Sequence, residues 1–217
     1  MTADAFITLL WGAGITLALS LAGIALGLPL GLAMAFARWR QLALVSALVA
    51  VYVSVMRPMP MITLCLFVFF LLPSAGMDLP PMWAAVVALT LNTAAFNCEI
   101  WRAGIAAIPR DQLEAASAFG MTRRQVFSRI VFPQVWRACL GPLVSEMTLL
   151  LKVTPAVSAI GIVEITRAAS RIGAQTYEPL PPLIIATLIY TLIIVLFVKA
   201  QRILERRIAA RYGHMQP

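Results

Sequence analysis

Of the 217 residues, 61% are hydrophobic and only 12% are charged, against about 45–50% apolar and about 25% charged in soluble domains. A chain this short has too much surface to hide that excess from water, so a soluble globular domain is excluded and bilayer hydrocarbon is the solvent that fits. The 17 Lys and Arg outnumber the 9 Asp and Glu, for a net charge of +8. The bases flank apolar runs, as the positive-inside bias requires, rather than forming the dense face that phosphate backbones demand, and no nucleic-acid partner is expected.

Met1 to Ala5 carries Asp4 and no base. A signal peptide would begin basic, so the first apolar run is expected to be a retained span. A helix crossing about 30 Å of hydrocarbon needs about 20 apolar residues, and five regions qualify. The first runs from about Phe6 to Ala35 and ends at Arg38-Trp39-Arg40. Its Gly23, Gly27 and Gly31, four residues apart, form a small-residue stripe that lets helices approach closely in lipid. The second, Leu42 to Leu72, is interrupted at Arg57-Pro58-Met59-Pro60. At roughly 46 Å if helical throughout, it is too long for one straight crossing, and its prolines cannot continue the helical ladder. One crossing, mostly after Pro60, is expected, with residues 42–57 either interfacial or part of it. The loop Pro73 to Pro81 has Asp78 and no base, which suits an outer face.

The third span is expected from about Met82 to Trp101, the fourth from about Val135 to Leu151 and the fifth from about Leu183 to Val198. Pro155 is expected to break the fourth. An N-out, C-in arrangement places most bases inside: Arg38, Arg40, Arg102, Arg110, Arg123, Arg124, Arg129, Arg137 and the tail bases from Lys199 to Arg211. Lys152, Arg167 and Arg171 fall outside, and Arg57 is assigned to neither face. No repeat, low-complexity tract or linker divides the chain, so residues 1–217 are expected to form one transmembrane domain.

The third and fourth spans are joined by an inner loop of about residues 108–133. Asp111-Gln112-Leu113-Glu114 has the form of a helix start with Asp111 as its cap, and Gly120 is a natural stop because it tolerates positive φ. Thr122-Arg123-Arg124-Gln125 is a second capping box. It opens a helix with the apolar stripe Val126, Phe127, Ile130 and Val131, expected to end before Pro133. The loop should thus be two short amphipathic helices joined at Gly120.

Ionisable groups within spans are costly and usually functional. Glu99, Glu146 and Lys152 are the candidates, with Asn92, Thr93, Asn97 and Thr154 adding hydrogen-bonding capacity. Glu146 and Lys152, six apart, do not share a helical face as an i, i+4 pair does; they are expected to meet opposite ends of a zwitterionic solute. Glu99 has Arg102 at i+3 as an alternative partner. Cys65, Cys98 and Cys139 lie in apolar stretches without metal-site spacing, and the single histidine is His214. There is no nucleophile–base constellation and no phosphate loop, so no catalytic residue, metal or cofactor is expected.

Glu114-Ala115-Ala116, then Gly120, Ile130 and Phe132-Pro133 at their spacing, resembles the EAA loop of ABC importer permeases. Arg57-Pro58-Met59-Pro60, Glu99-Ile100-Trp101-Arg102-Ala103-Gly104-Ile105, Leu150 to Pro155 and Ile160 to Ala168 are similar to stretches of the polar amino acid permeases, the histidine, glutamine and arginine importers among them. The resemblance implies an all-α integral membrane domain of the type I importer kind, with five transmembrane helices and a cytoplasmic coupling-helix pair. Glu114, Ala115, Ala116, Gly120, Ile130 and Pro133 would couple to a separate ABC ATPase dimer that binds ATP and Mg. A second permease subunit, identical or homologous, and an external solute-binding protein would complete an importer of a polar amino acid or similar solute in a bacterial inner membrane. Phe132 replaces the family's Leu. Val153 and Pro155 stand where Asp and Ser are usual, which removes a carboxylate that a cationic side chain would use. A subunit of an exporter, or of a channel or scaffold complex without a docked ATPase, remains the alternative.

Overall fold

A computed structural model describes residues 3–40 and 43–212; Met1, Thr2, Leu42 and His214 lie outside the described residues. These form helices α1 (Ala3–Trp39), α2 (Ala43–Met56), α3 (Met61–Ser74), α4 (Pro81–Ala106), α5 (Arg110–Ala118), α6 (Arg123–Val126), α7 (Phe132–Val153), α8 (Ile165–Thr176) and α9 (Leu180–Tyr212). Among the described residues there is no strand.

Four helical segments are long and apolar enough to cross a membrane: Ala3–Trp39, Pro81–Ala106, Arg123–Ile160 and Leu180–Ala200. The second expected span is a bent pair. Helices α2 and α3 have 14 residues each, about 21 Å apiece, so neither crosses alone. They meet at 116° across the Arg57–Pro60 break, where Pro58 and Pro60 lack the N–H groups that would carry the ladder through. The expected second crossing is thus a bent pair of half-length helices, neither long enough alone, which make a fifth span only together.

The inner loop departs from expectation at both ends. Helix α5 starts at Arg110 behind Pro109, and no side chain caps it. Proline fixes φ and needs no donor at a helix start, so Asp111 lies in the first turn instead of capping it. The second helix does not stop before Pro133. It runs through a π-turn at Phe127–Val131 into α7, with Pro133 in the first turn of α7. The wider i→i+5 turn accommodates the missing proline N–H without a break. Beyond Val153 the chain tightens into a 3₁₀ segment at Thr154–Ile160 and turns at Gly161, φ +96°, which ends the fourth span at Pro155 as expected.

Helix α1 is the spine. Its glycine stripe packs against α4: a Cβ on Gly23 would lie 3.0 Å from the Leu89 Cβ, and one on Gly31 2.7 Å from the Asn97 Cβ. Three buried clusters follow one another along it. Leu9 and Ala13 pack with Ile165, Ala169 and Ala186 of α8 and α9. Leu19 packs with Leu64, Leu89 and Leu150. Ala35 packs with Trp101, Val126, Val131 and Leu143. The coupling loop and α8 therefore sit at opposite ends of α1. Along α9, Ile184, Leu188, Leu192 and Leu196 form an exposed apolar stripe, the pattern of a surface facing hydrocarbon.

Candidate functional site

The turn between α5 and α6 is fixed from both sides. The Met121 N–H donates to the Ala116 carbonyl at 3.1 Å and Gly120 N–H to that of Ser117 at 3.0 Å, the paired bonds of a Schellman cap. Gly120 adopts φ +71° to close it. The Thr122 hydroxyl accepts from Gln125 N–H at 3.4 Å, and Gln125 Oε1 accepts from Thr122 N–H at 2.8 Å. The Gln134 amide then ties α5 to α7 through Gln112 Oε1 at 3.0 Å and the Ile130 carbonyl at 2.9 Å.

The residues nominated from sequence for coupling differ in burial. Ala116 is buried and Ile130 and Pro133 are half-buried, while Glu114, Ala115 and Gly120 are exposed. Phe119, beside the turn, is 87% exposed. Behind the turn, Phe127 packs on Phe36 at 4.4 Å and Trp39 at 5.4 Å between ring centroids. Trp101 stacks on Trp136 at 5.7 Å. The loop is thus bolted by aromatic rings to the ends of α1 and α4.

Two arginines converge on Glu99. Arg102 Nε donates to Glu99 Oε1 at 2.8 Å, with a second bond from Arg102 Nη2, and Arg38 Nη1 lies 3.5 Å from Oε2. Arg57, at the α2–α3 break, lies over the Phe96 ring at 5.3 Å. Arg38, Ser54, Arg57, Glu99 and Arg102 line a cleft of about 430 Å³.

Of the pathway residues nominated from sequence, Glu99 alone opens on this cleft. Asn92 and Glu146 are buried, at 7% and 6% exposure. Thr154 is spent on packing, with its hydroxyl 3.0 Å from that of Ser20 and donating to the Leu150 carbonyl at 2.9 Å. Lys152 is exposed, so Glu146 and Lys152 differ in burial within this chain. Three groups were not singled out for the site. Arg38 was one flanking base among many. Arg57 was visible as part of a helix interruption and of a stretch similar to the polar amino acid permeases, not as a site residue. Glu164 is fully buried; its carboxylate accepts from Arg167 N–H at 2.7 Å, Thr166 N–H at 2.9 Å and the Tyr190 hydroxyl at 2.7 Å. Its signal in sequence was an acid directly ahead of an amphipathic stretch.

A helical membrane domain with a rigid, exposed turn at one end and a charged cleft between its helices has the build of a transporter permease. The chain belongs to the family of binding-protein-dependent transport system inner membrane components, whose model matches residues 27–210. It is a membrane-spanning permease subunit of the ABC importer type. Over 158 residues it is 39% identical to the arginine transport system permease protein ArtQ of Bacillus subtilis (strain 168), covering 72% of each chain. Over 210 residues it is 31% identical to the histidine/lysine/arginine/ornithine transport system permease protein HisQ of Escherichia coli (strain K12), covering 92% of each. The crystal structure of an amino acid ABC transporter with histidines matches with a TM-score of 0.86 at 31% identity, over 95% of this chain and all (100%) of that one. The MetNI methionine ABC transporter in an inward-facing form shares the fold, with a TM-score of 0.73 at 21% identity over 95% of this chain and 99% of that one.

Proposed function

We propose that this chain, inserted N-out and C-in in a bacterial inner membrane, forms half of the passage of an amino-acid importer driven by a separate ATPase. The observation that carries the reading is the α5–α6 turn. It presents Phe119, Glu114 and Ala115 outward, on a scaffold locked by two caps and keyed by Phe127 to α1. A turn so fixed transmits a push to the spans instead of absorbing it. An exposed aromatic beside small residues is the composition of an anchor that fills a partner's groove.

The passage is made with a second permease subunit, and solute arrives from an external binding protein. Three arginines, Arg38, Arg57 and Arg102, line the cleft with the single carboxylate of Glu99, which pairs with Arg38 and Arg102. That surplus of positive charge, in surroundings where charge is screened little, suits the carboxylate of an amino acid. The amino-acid systems named for ArtQ and HisQ support the same solute class. Val153 leaves no acid beside Lys152 for a cationic side chain.

The test is uptake of labelled amino acids into proteoliposomes holding the permease and its ATPase, with binding protein added outside. Uptake should vanish when ATP or the binding protein is omitted. Flux that persists without the ATPase would establish the channel reading instead.

A further inference from the structure

We propose that the Arg167–Arg171 face of α8 is where the permease receives an acidic side chain of the external solute-binding protein. This rests on the importer reading above and adds to it a partner contact.

The placement follows from α1. Helix α8 abuts α1 at Gly12, where a Cβ would lie 2.9 Å from Ile165 N. The coupling loop packs on Trp39 at the other end. Those positions are about 40 Å apart along a helix, the thickness of a bilayer with its headgroups. The face of α8 therefore opens on the side of the membrane away from the ATPase, where a solute-binding protein arrives.

The chemistry follows from the groups present. Ser158, Thr166, Arg167, Ser170, Arg171 and Ala174 line a cleft of about 380 Å³. Arg167 is held in position, with Nη1 donating to the Ser158 carbonyl. Arg171 is exposed one turn further on. Like charges at i and i+4 repel by a few tenths of a kcal/mol, and among the described residues neither arginine is within ion-pair distance of an acid. Glu164, three residues before Arg167, is turned inward onto its own helix start and Tyr190, and the exposed Glu178, seven residues after Arg171, makes no ion pair with either arginine. That inward bonding fixes the start of α8, and the Ser158 bond holds the Arg167 guanidinium, with the exposed Arg171 as a second positive charge beside it. Two guanidiniums on one helix face, one of them held and both flanked by hydroxyls, make a carboxylate receptor, and the family is one that depends on a binding protein.

The experiment titrates the solute-loaded binding protein that stimulates the wild-type complex against the reconstituted permease–ATPase complex, and reads stimulated ATP hydrolysis. Arg171→Glu should raise the half-saturating binding-protein concentration about tenfold or more at low salt. The difference should shrink as salt rises, because rim charges act through screened attraction. Maximal turnover should return at saturation. Ala174→Glu places a repelling charge in the same groove with both arginines intact, and should act in the same direction. An acid-to-Lys exchange on the binding protein should restore affinity for Arg171→Glu. Unchanged half-saturation in both variants overturns the proposal, as does a fall in maximal turnover with half-saturation untouched, which would place Arg171 inside the passage. A wild-type complex that no external binding protein stimulates removes the importer reading itself, a failure distinct from one confined to the variants.

Discussion

Gly31 of α1 and Asn97 of α4 meet so closely that a Cβ on Gly31 would lie 2.7 Å from the Asn97 Cβ and 2.9 Å from the Ala94 carbonyl oxygen. Lipid tails are as apolar as the helices, so association here draws on tight packing rather than on the hydrophobic effect. One added methyl must push the seam apart. Gly31→Ala should cost about 1–3 kcal/mol, the usual range for overpacking, and lower the thermal unfolding midpoint in nanodiscs. Gly14, on the same helix, has nothing within 4 Å of its would-be Cβ. Gly14→Ala should be neutral or stabilise by up to about 1 kcal/mol through helix propensity. Equal melting of the two variants would refute the seam argument.

The glycine seam was legible in sequence because spacing alone defines a helix face. The long spans were legible for a similar reason, each being a sustained apolar run. The angle at Pro58 and Pro60 was not. Prolines announce a break, but the 116° bend is set by where α3 lies against α4 and the 3₁₀ segment. Helix α8 was not foreseen, because 12 amphipathic residues rich in Ala and Arg do not look like a span. The cleft was the least legible feature. Arg38, Ser54, Arg57 and Glu99 come from separate elements, and no periodicity within one segment links them. The Thr122–Gln125 capping box was readable in full because it is local, whereas Asp111 was misread as a cap where Pro109 already supplied the start.

The coupling turn predicts a division between stability and assembly. Phe119 is 87% exposed, so Phe119→Ala should leave the melting midpoint of the isolated permease unchanged. Exposed aromatic anchors commonly carry 2 kcal/mol or more of an interface, so ATPase retention on affinity purification should drop at least tenfold. Gly120→Val should instead lower both, because a β-branched residue at φ +71° is strained within the chain itself. Full ATPase retention by Phe119→Ala would remove it from the interface.

The cleft predicts a graded series at Arg57. Arg57→Ala removes one of the guanidiniums of the cleft and should raise the half-saturating solute concentration for uptake about tenfold, with ATPase assembly intact. Arg57→Lys keeps the charge but loses the planar fork, and should fall between. Glu99→Gln leaves Arg38 and Arg102 without a neutralising partner, and should lower stability as well as uptake. Uptake kinetics for Arg57→Ala that match wild type would exclude Arg57 from the solute path.

Glu164 predicts a coupled pair at the far end of α1. Its carboxylate closes three hydrogen bonds in a fully buried position, one of them from Tyr190 on α9. Tyr190→Phe removes a single hydroxyl and should cost about 1 kcal/mol, the net value of a typical hydrogen bond. Glu164→Ala strands the Thr166 and Arg167 N–H groups at the start of α8 as well, and should cost more, about 2–4 kcal/mol, with the start of α8 losing amide-exchange protection. In the double variant the hydroxyl has no carboxylate left to lose, so adding Tyr190→Phe to Glu164→Ala should cost less than Tyr190→Phe does alone. The measurement is a double-mutant cycle on nanodisc melting midpoints. Strict additivity would mean that α8 and α9 are held together by the apolar contacts around Ile165 and Ala186 alone, and that the carboxylate serves only as the helix cap.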